Sequence, residues 1–449
     1  MLFVRRALLP TFFVFCLLGS AQAQHVELQN ATADASQNGF PVGAMINNVY
    51  PQSNSAGDGW AGDVGGTPPQ IAVFETTNDL DFSAGGTIRF NMFGGWSNTH
   101  TLGRYRYSYT TDDRSTFADG LNNGGDVTAN WVQITPNSAT ATNGPTLSIL
   151  GDDSILASGS NPNRTTYSVT ANLGPVTDPI TGFRIETLLD PSLPTNGPGR
   201  AGNGNHVTRE LDIAAFAGKQ QVGLQNATAL RSQANFSVDN VIDGGFPHIS
   251  ANNIGWANNA LGDNVAVFET TAPIEAGSGG TALTAEIASG GFSFTHTLGK
   301  FRISATDADP SQFADGADNG GDLGAASIWT VLDPISVVSD NAGTTFMINP
   351  DGSILAGGSP AAFELYSVEF ETMLDDITGF RLEALEDGTL PFDGPGRATG
   401  NGNFVVQEFS VFQSQIQAQA VPEPASVAIW SLIGIGLAGF GYYRLRRKT

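Results

Sequence analysis

Cysteine is almost missing from this chain. Its 449 residues hold one, Cys16, inside an apolar N-terminal run whose Phe13-Val14-Phe15-Cys16 segment is no lipobox. That excludes a disulfide framework and any thiolate metal site, so the fold must rest on apolar cores, with or without a bound metal. Charge is scarce too, at 14% of residues, and one-sided, with 20 Lys and Arg against 43 Asp and Glu. Without the first 23 and last 29 residues the balance is 14 basic to 42 acidic, net −28. A surface that acidic repels nucleic acid and suits cations, neutral glycans or plain solubility. The nucleophile elbow, the HExxH helix and the phosphate-binding glycine loop are all absent, so the expectation is a protein that is not an enzyme. Helix-periodic stretches are lacking through the body of the chain, whereas Gly (55) and Pro (23) are frequent and 40% of residues are hydrophobic. Short strands and turns around real cores are the reading that fits.

What is present is a duplication. ITGFRIETLLDPSLPTNGPGRAGNGNHVTRE (180–210) returns as ITGFRLEALEDGTLPFDGPGRATGNGNFVVQE (377–408), and Leu28-Gln29-Asn30-Ala31-Thr32-Ala33 returns as Leu224-Gln225-Asn226-Ala227-Thr228-Ala229. Two modules are expected, 24–218 and 222–412, with a join of only a few residues that limits their relative angles. Within each, Tyr105, Tyr107 and Tyr109 alternate with Arg104, Arg106 and Ser108, as Phe301, Ile303 and Ala305 do with Lys300, Arg302 and Ser304. That period of two describes strands with apolar groups inward. Many such strands in each unit predict an all-β fold of two tandem jelly-roll sandwiches.

The two ends carry delivery signals. Arg5 and Arg6, the apolar run 7–18 and Ala21-Gln22-Ala23 form a secretory signal peptide (1–23) with cleavage before Gln24. A polar linker (413–420) leads to Val421-Pro422-Glu423-Pro424, an apolar run over 426–443 and a basic close, Arg444 to Lys448. The run is long enough for a transmembrane helix, and the basic cluster places its end in the cytoplasm. This tail resembles the PEP-CTERM sorting signal. The resemblance implies recognition by an exosortase-type membrane enzyme, passage through a membrane-anchored stage, and a final place at the cell surface or in an extracellular matrix alongside exopolysaccharide. A plain C-terminal anchor is the alternative.

The order Ser36-Gln37, Phe40, Val42, Ile46-Asn47, Trp60-Ala61, repeated as Ser232-Gln233, Phe236, Val238, Ile242-Asp243, Trp256-Ala257, is similar to the opening of discoidin-type galactose-binding-like modules. The later motifs, from Thr-His-Thr-Leu-Gly to Gly-Asn-Gly-Asn, look like a module of planctomycete envelope proteins that can accompany haem domains. No Cys-x-x-Cys-His occurs, so no haem is implied.

Candidate sites follow from the repeated polar and aromatic positions. Trp60 and Trp256 either stack on a sugar face or plug the end of a sandwich, while Trp131 and Trp329 are expected in the core. Arg200 and Arg397, in Gly-Pro-Gly-Arg-Ala, either clamp a carboxylate or sugar acid or bridge to a local acid. Asp119, Asn122 and Asp126, repeated as Asp315, Asp318 and Asp322, place hard oxygens on Gly-rich loops. They fit either Ca²⁺ or Asx turns bonded to their own backbone. His100 and His296, one per module, make a poor metal site and are expected to be structural. Gly-Asn-Gly-Asn is expected to be a turn with positive φ. The functional expectation is non-catalytic binding of exopolysaccharide or another envelope glycan. The alternatives are an acidic structural surface protein without a specific ligand, and a polysaccharide-active enzyme.

Overall fold

The structure, a computed structural model, describes residues 24–47, 55–62, 69–97, 99–244, 255–258, 262–277, 279–291 and 295–415. Its regular elements there are strands and short 3-10 turns, gathered into four sheets whose strand pairings are antiparallel. In the first repeat one sheet runs Gln24–His25, Thr208–Ala217, Gly86–Gly94, Thr165–Leu173, Ser138–Ala141. The other runs Leu28–Ala33, Gln70–Leu80, Ile180–Thr187, Arg104–Thr110, Ile155–Gly159, Pro145–Ile149, with Val132–Gln133 beside Arg104–Thr110. The second repeat repeats this plan around Thr281–Gly290, Phe363–Thr372 and Val405–Gln415 in one sheet, and Asn264–Ile274, Ile377–Ala384 and Lys300–Thr306 in the other. Successive long strands switch sheets, which is how a jelly roll winds.

Alternation explains the packing. Ile88, Phe90 and Met92 point from one sheet of the first sandwich toward Phe74, Tyr107, Phe183 and Ile185 of the other. The Phe90 ring stacks on Tyr107 at 4.1 Å. Leu283, Ile287 and Phe409 meet Phe268, Phe301, Ile303 and Phe380 in the second. The two clusters share no residue, so each sandwich has its own core. Tyr109 departs from the expectation: its ring is only partly buried against the core.

The repeated motifs turn out to be struts between loops. Asn205 Nδ2 of the first Gly-Asn-Gly-Asn donates to Gln37 Oε1 at 2.8 Å, and Asn403 Nδ2 does the same to Gln233 at 3.1 Å. The positive φ expected in this turn falls on Gly204 and Gly402. Gly199 and Gly396 serve by size instead, since a Cβ on either would lie about 2 Å from the carbonyl oxygen of Asn205 or Asn403.

At the join, Gln220–Val222 pairs with Val411–Gln413 and so belongs to the second sandwich. The closing strand continues to Gln415, into the expected linker, because it still has Thr281–Gly290 to pair with. The expected signal peptide, the residues Val421, Pro422, Glu423 and Pro424, and the apolar run 426–443 lie outside the described residues. Among the described residues no helix is long and apolar enough to cross a membrane.

Candidate functional site

The outward faces of the five-stranded sheet of the first sandwich and the six-stranded sheet of the second meet. On the Gly86–Gly94 strand, Ile88, Phe90 and Met92 fill the core, which leaves Thr87, Arg89 and Asn91 on the other side, yet those three are buried as well. The second sandwich covers them. Arg89 Nη2 lies 3.5 Å from Glu286 Oε2, with both side chains at most 5% exposed. Phe216 stacks on Phe412 at 3.8 Å, and the Arg89 guanidinium sits 5.3 Å from the Phe216 ring. Lys219 Nζ donates to Thr284 Oγ1 at 2.7 Å and pairs with Glu369 at 3.3 Å. In the connector, Gln221 N donates to Thr87 Oγ1 at 2.9 Å.

The two faces do not close completely. Beside this contact lies a cleft of about 420 Å³ whose walls come from both sandwiches and the connector, within the ~300–1,000 Å³ usual for small-molecule sites. One wall is a ladder of hydroxyls on adjacent strands. Ser168 stands opposite Thr140, and Thr170 opposite Ser138, with Ser138 and Thr170 bonded at 2.6 Å. They are there because Thr165–Leu173 alternates Tyr167, Val169 and Ala171 inward with Ser168, Thr170 and Asn172 outward. The opposite wall holds Thr271, Asp243, Gly244, Glu408 and Ser410, and Gln221 lies between.

Charge at the floor is held in check. Glu408 accepts from Gly244 N at 3.1 Å and from Ser410 Oγ at 3.3 Å. Burial, reinforced by the Asp243 charge and opposed by Arg89, holds its carboxyl well above the ordinary range. Burial also raises Glu286, against the pull of Arg89 and Lys219. Among the described residues of the lining, Arg89 Nε, Thr140 Oγ1 and Gln221 Oε1 are buried without a hydrogen-bond partner.

The residues singled out from sequence lie elsewhere. Trp60 and Trp256 are 0% exposed. Their indole N–H groups donate to Ala35 O and Arg231 O, and their rings abut His206 and Phe404 edge-on. They plug the sandwiches and cannot stack on a sugar. Arg397 is buried on Glu364 at 3.3 Å and donates to Gly357 O and Gly358 O, and Arg200 donates to Gly159 O. Both bind their own module rather than offering a clamp.

The acidic loops also turn inward on the protein. Asn122 Oδ1 accepts from Val42 N and Asp318 Oδ1 from Val238 N and Ser232 Oγ. Asp119 accepts from Leu121 N and Asp126 N, Asp126 from Thr128, Asp315 from Ala317 N, and Asp322 from Gly324 N. Among the described residues no three His, Cys, Asp or Glu converge to hold a metal. These contacts are the Asx turns and loop struts that were the alternative reading of the motif.

Trp131 and Trp329 pack in small satellite clusters on Phe117 and Phe313, outside the main cores. His100 sits in a loop with Nδ1 2.7 Å from Ser97 O, and its buried neighbour His206 is held down to about 3 by burial and by His100. Sequence reasoning missed Arg89, Glu286 and Glu408. One signal was available: Phe216 and Phe412 stand on the outward side of closing strands, where an unaccompanied aromatic announces a covering partner.

Residues 420–448 match the PEP-CTERM protein-sorting motif. The motif marks an exported protein, sorted to the cell envelope and processed by an exosortase-type enzyme. No curated protein matches the chain in sequence. Solved structures similar to it include allantoicase from Saccharomyces cerevisiae, at 10% identity over 87% of this chain and 89% of that one, with a TM-score of 0.32. The β-galactosidase BgaA from Streptococcus pneumoniae gives 15% identity over 44% of this chain and 99% of that one, TM-score 0.28. The CBM22-1–CBM22-2 tandem of Paenibacillus barcinonensis Xyn10C gives 8% identity over 88% and 100%, TM-score 0.18. Likenesses this distant carry no functional assignment.

Proposed function

We propose that the protein is a non-catalytic, glycan-binding component of the cell surface or extracellular matrix, built from two galactose-binding-like sandwiches and released there after exosortase-type processing of its tail. The observation that carries this reading is the hydroxyl- and amide-lined cleft between the sandwiches. Sugars are recognised by many neutral hydrogen bonds, and this lining offers them without a dominant positive charge. The acidic surface disfavours polyanionic polymers, so a neutral exopolysaccharide or envelope glycan fits best. A glycan array probed with residues 24–420 tests it. Retention of neutral glycans over uronate polymers is expected, and a blank array ends the proposal. Mass spectrometry of the surface fraction tests the processing, and an intact Thr449 there counts against release.

A second reading rests on one feature, a buried Glu408 whose carboxyl is raised, beside Asp243 in a cleft. Such a pair is a candidate acid and base for glycoside hydrolysis. New reducing ends on incubation with the glycans retained by the array decide for the enzyme, and their absence for the binder.

A further inference from the structure

A duplicated module invites the idea of two equivalent sites. Among the described residues, the second repeat does not reproduce the lining of the cleft. In the second sandwich the strand positions that match the hydroxyl ladder pair Ser367 with Val338 and Glu369 with Ser336. Val338 is apolar, and Glu369 is committed to Lys219 and Ser336. The strand position of Arg89, opposite Thr170, is taken by Thr284, opposite Glu369. The second repeat therefore lacks the ladder and the cation. What it supplies is the other wall, through Asp243, Gly244 and Glu408.

Resting on the reading of the cleft as a glycan site, we propose that the chain binds one saccharide, not two, by clamping it between Ser138 and Thr170 of the first sandwich and Asp243 and Glu408 of the second, beside the point where Gly244 already meets Thr140 and Ser168. The lining spans both sandwiches, with Arg89, Ser138 and Thr170 from the first and Gln221, Asp243 and Glu408 from the second. A ligand touching both walls fixes the angle between the modules, and by linkage a fixed angle alters affinity to the same extent. The ligand is a neutral polyhydroxylated chain, because the Asp243 carboxylate faces the space and the surrounding surface is acidic.

Residues 24–420 contain no cysteine, so a staple can be placed without competition. A Cβ built on Gly244 lies 4.0 Å from Ser168 Cβ, inside the ~3.5–4.5 Å of a disulfide. The test is titration calorimetry of residues 24–420 carrying Ser168→Cys and Gly244→Cys, oxidised and reduced, against neutral hexasaccharides from dextran, cellulose and mannan. The reduced protein controls for the positive φ at Gly244. Thr140→Trp, which fills the cleft from an edge strand, is the second variant. The unmodified protein is expected to take one ligand per chain, Thr140→Trp to weaken binding by roughly tenfold or more, and the oxidised staple to differ in affinity from its own reduced form. Two ligands per chain, or binding indifferent to both variants, overturns the clamp while leaving glycan binding standing. No binding by the unmodified protein overturns the glycan reading, and the clamp with it.

Discussion

The rings of Phe216 and Phe412 lie 3.8 Å apart and 15° from parallel, one from each sandwich. Both are 0% exposed although both stand outside their own sandwich core. The stack therefore belongs to the junction and to neither module. Phe412→Ala is expected to cost about 3 kcal/mol and to divide one calorimetric unfolding transition into two. A single unshifted transition contradicts the junction described here.

Arg89 and Glu286 form a buried pair at 3.5 Å. Removing one member strands the other charge, so Glu286→Gln is expected to lower stability by about 3–5 kcal/mol in urea denaturation. Arg89→Met combined with Glu286→Leu is expected to recover most of that loss, because neither charge then needs a partner.

Glu408 gives the junction a pH dependence of definite sign. Its carboxyl is raised by burial and by Asp243, with Arg89 opposing. Its contribution is complete below the unfolded carboxylate range and is lost as pH rises through the folded value. Exposed Asp126 and half-buried Asp190 and Asp387 are lowered, first by hydrogen bonds from Thr128, Ser192 and Thr389, and theirs is lost as pH falls. Glu408→Gln is expected to gain on the unmodified protein as pH rises above the ordinary carboxylate range. Denaturation midpoints that move in parallel over that rise refute the assignment.

Asp318 ties the loop at 313–322 to the turn before Val238. Asp318→Ala is expected to lower stability by about 1–3 kcal/mol, and added Ca²⁺ is expected to leave the melting temperature of the unmodified protein where it was. A calcium-dependent rise in a thermal scan is the contrary result.

The strands were legible because Tyr105, Tyr107, Phe301 and Ile303 obey a local rule, alternation along one segment. The duplication was legible because whole motifs recur. The roles of Trp60, Asn122 and Arg397 were not, since a plug and a sugar platform, or a strut and a metal ligand, use the same residue types. Only the partner tells them apart, and Ala35 O, Val42 N and Glu364 are distant in sequence. The cleft was least legible of all. Arg89 and Glu408 sit in different repeats, and nothing near either states that they share a space.

The strand that completes the second sandwich runs to Gln415, and residue 420 already belongs to the sorting motif. Five residues reach at most roughly 18 Å. Val405–Gln415 lies inside its sheet, flanked by Gln220–Val222 and Thr281–Gly290, so this half cannot be assembled until nearly the whole polypeptide has been translocated. The upstream half faces no such wait. Export thus imposes an order of assembly on the pair, with the final strand docking close to the site where the tail is cut.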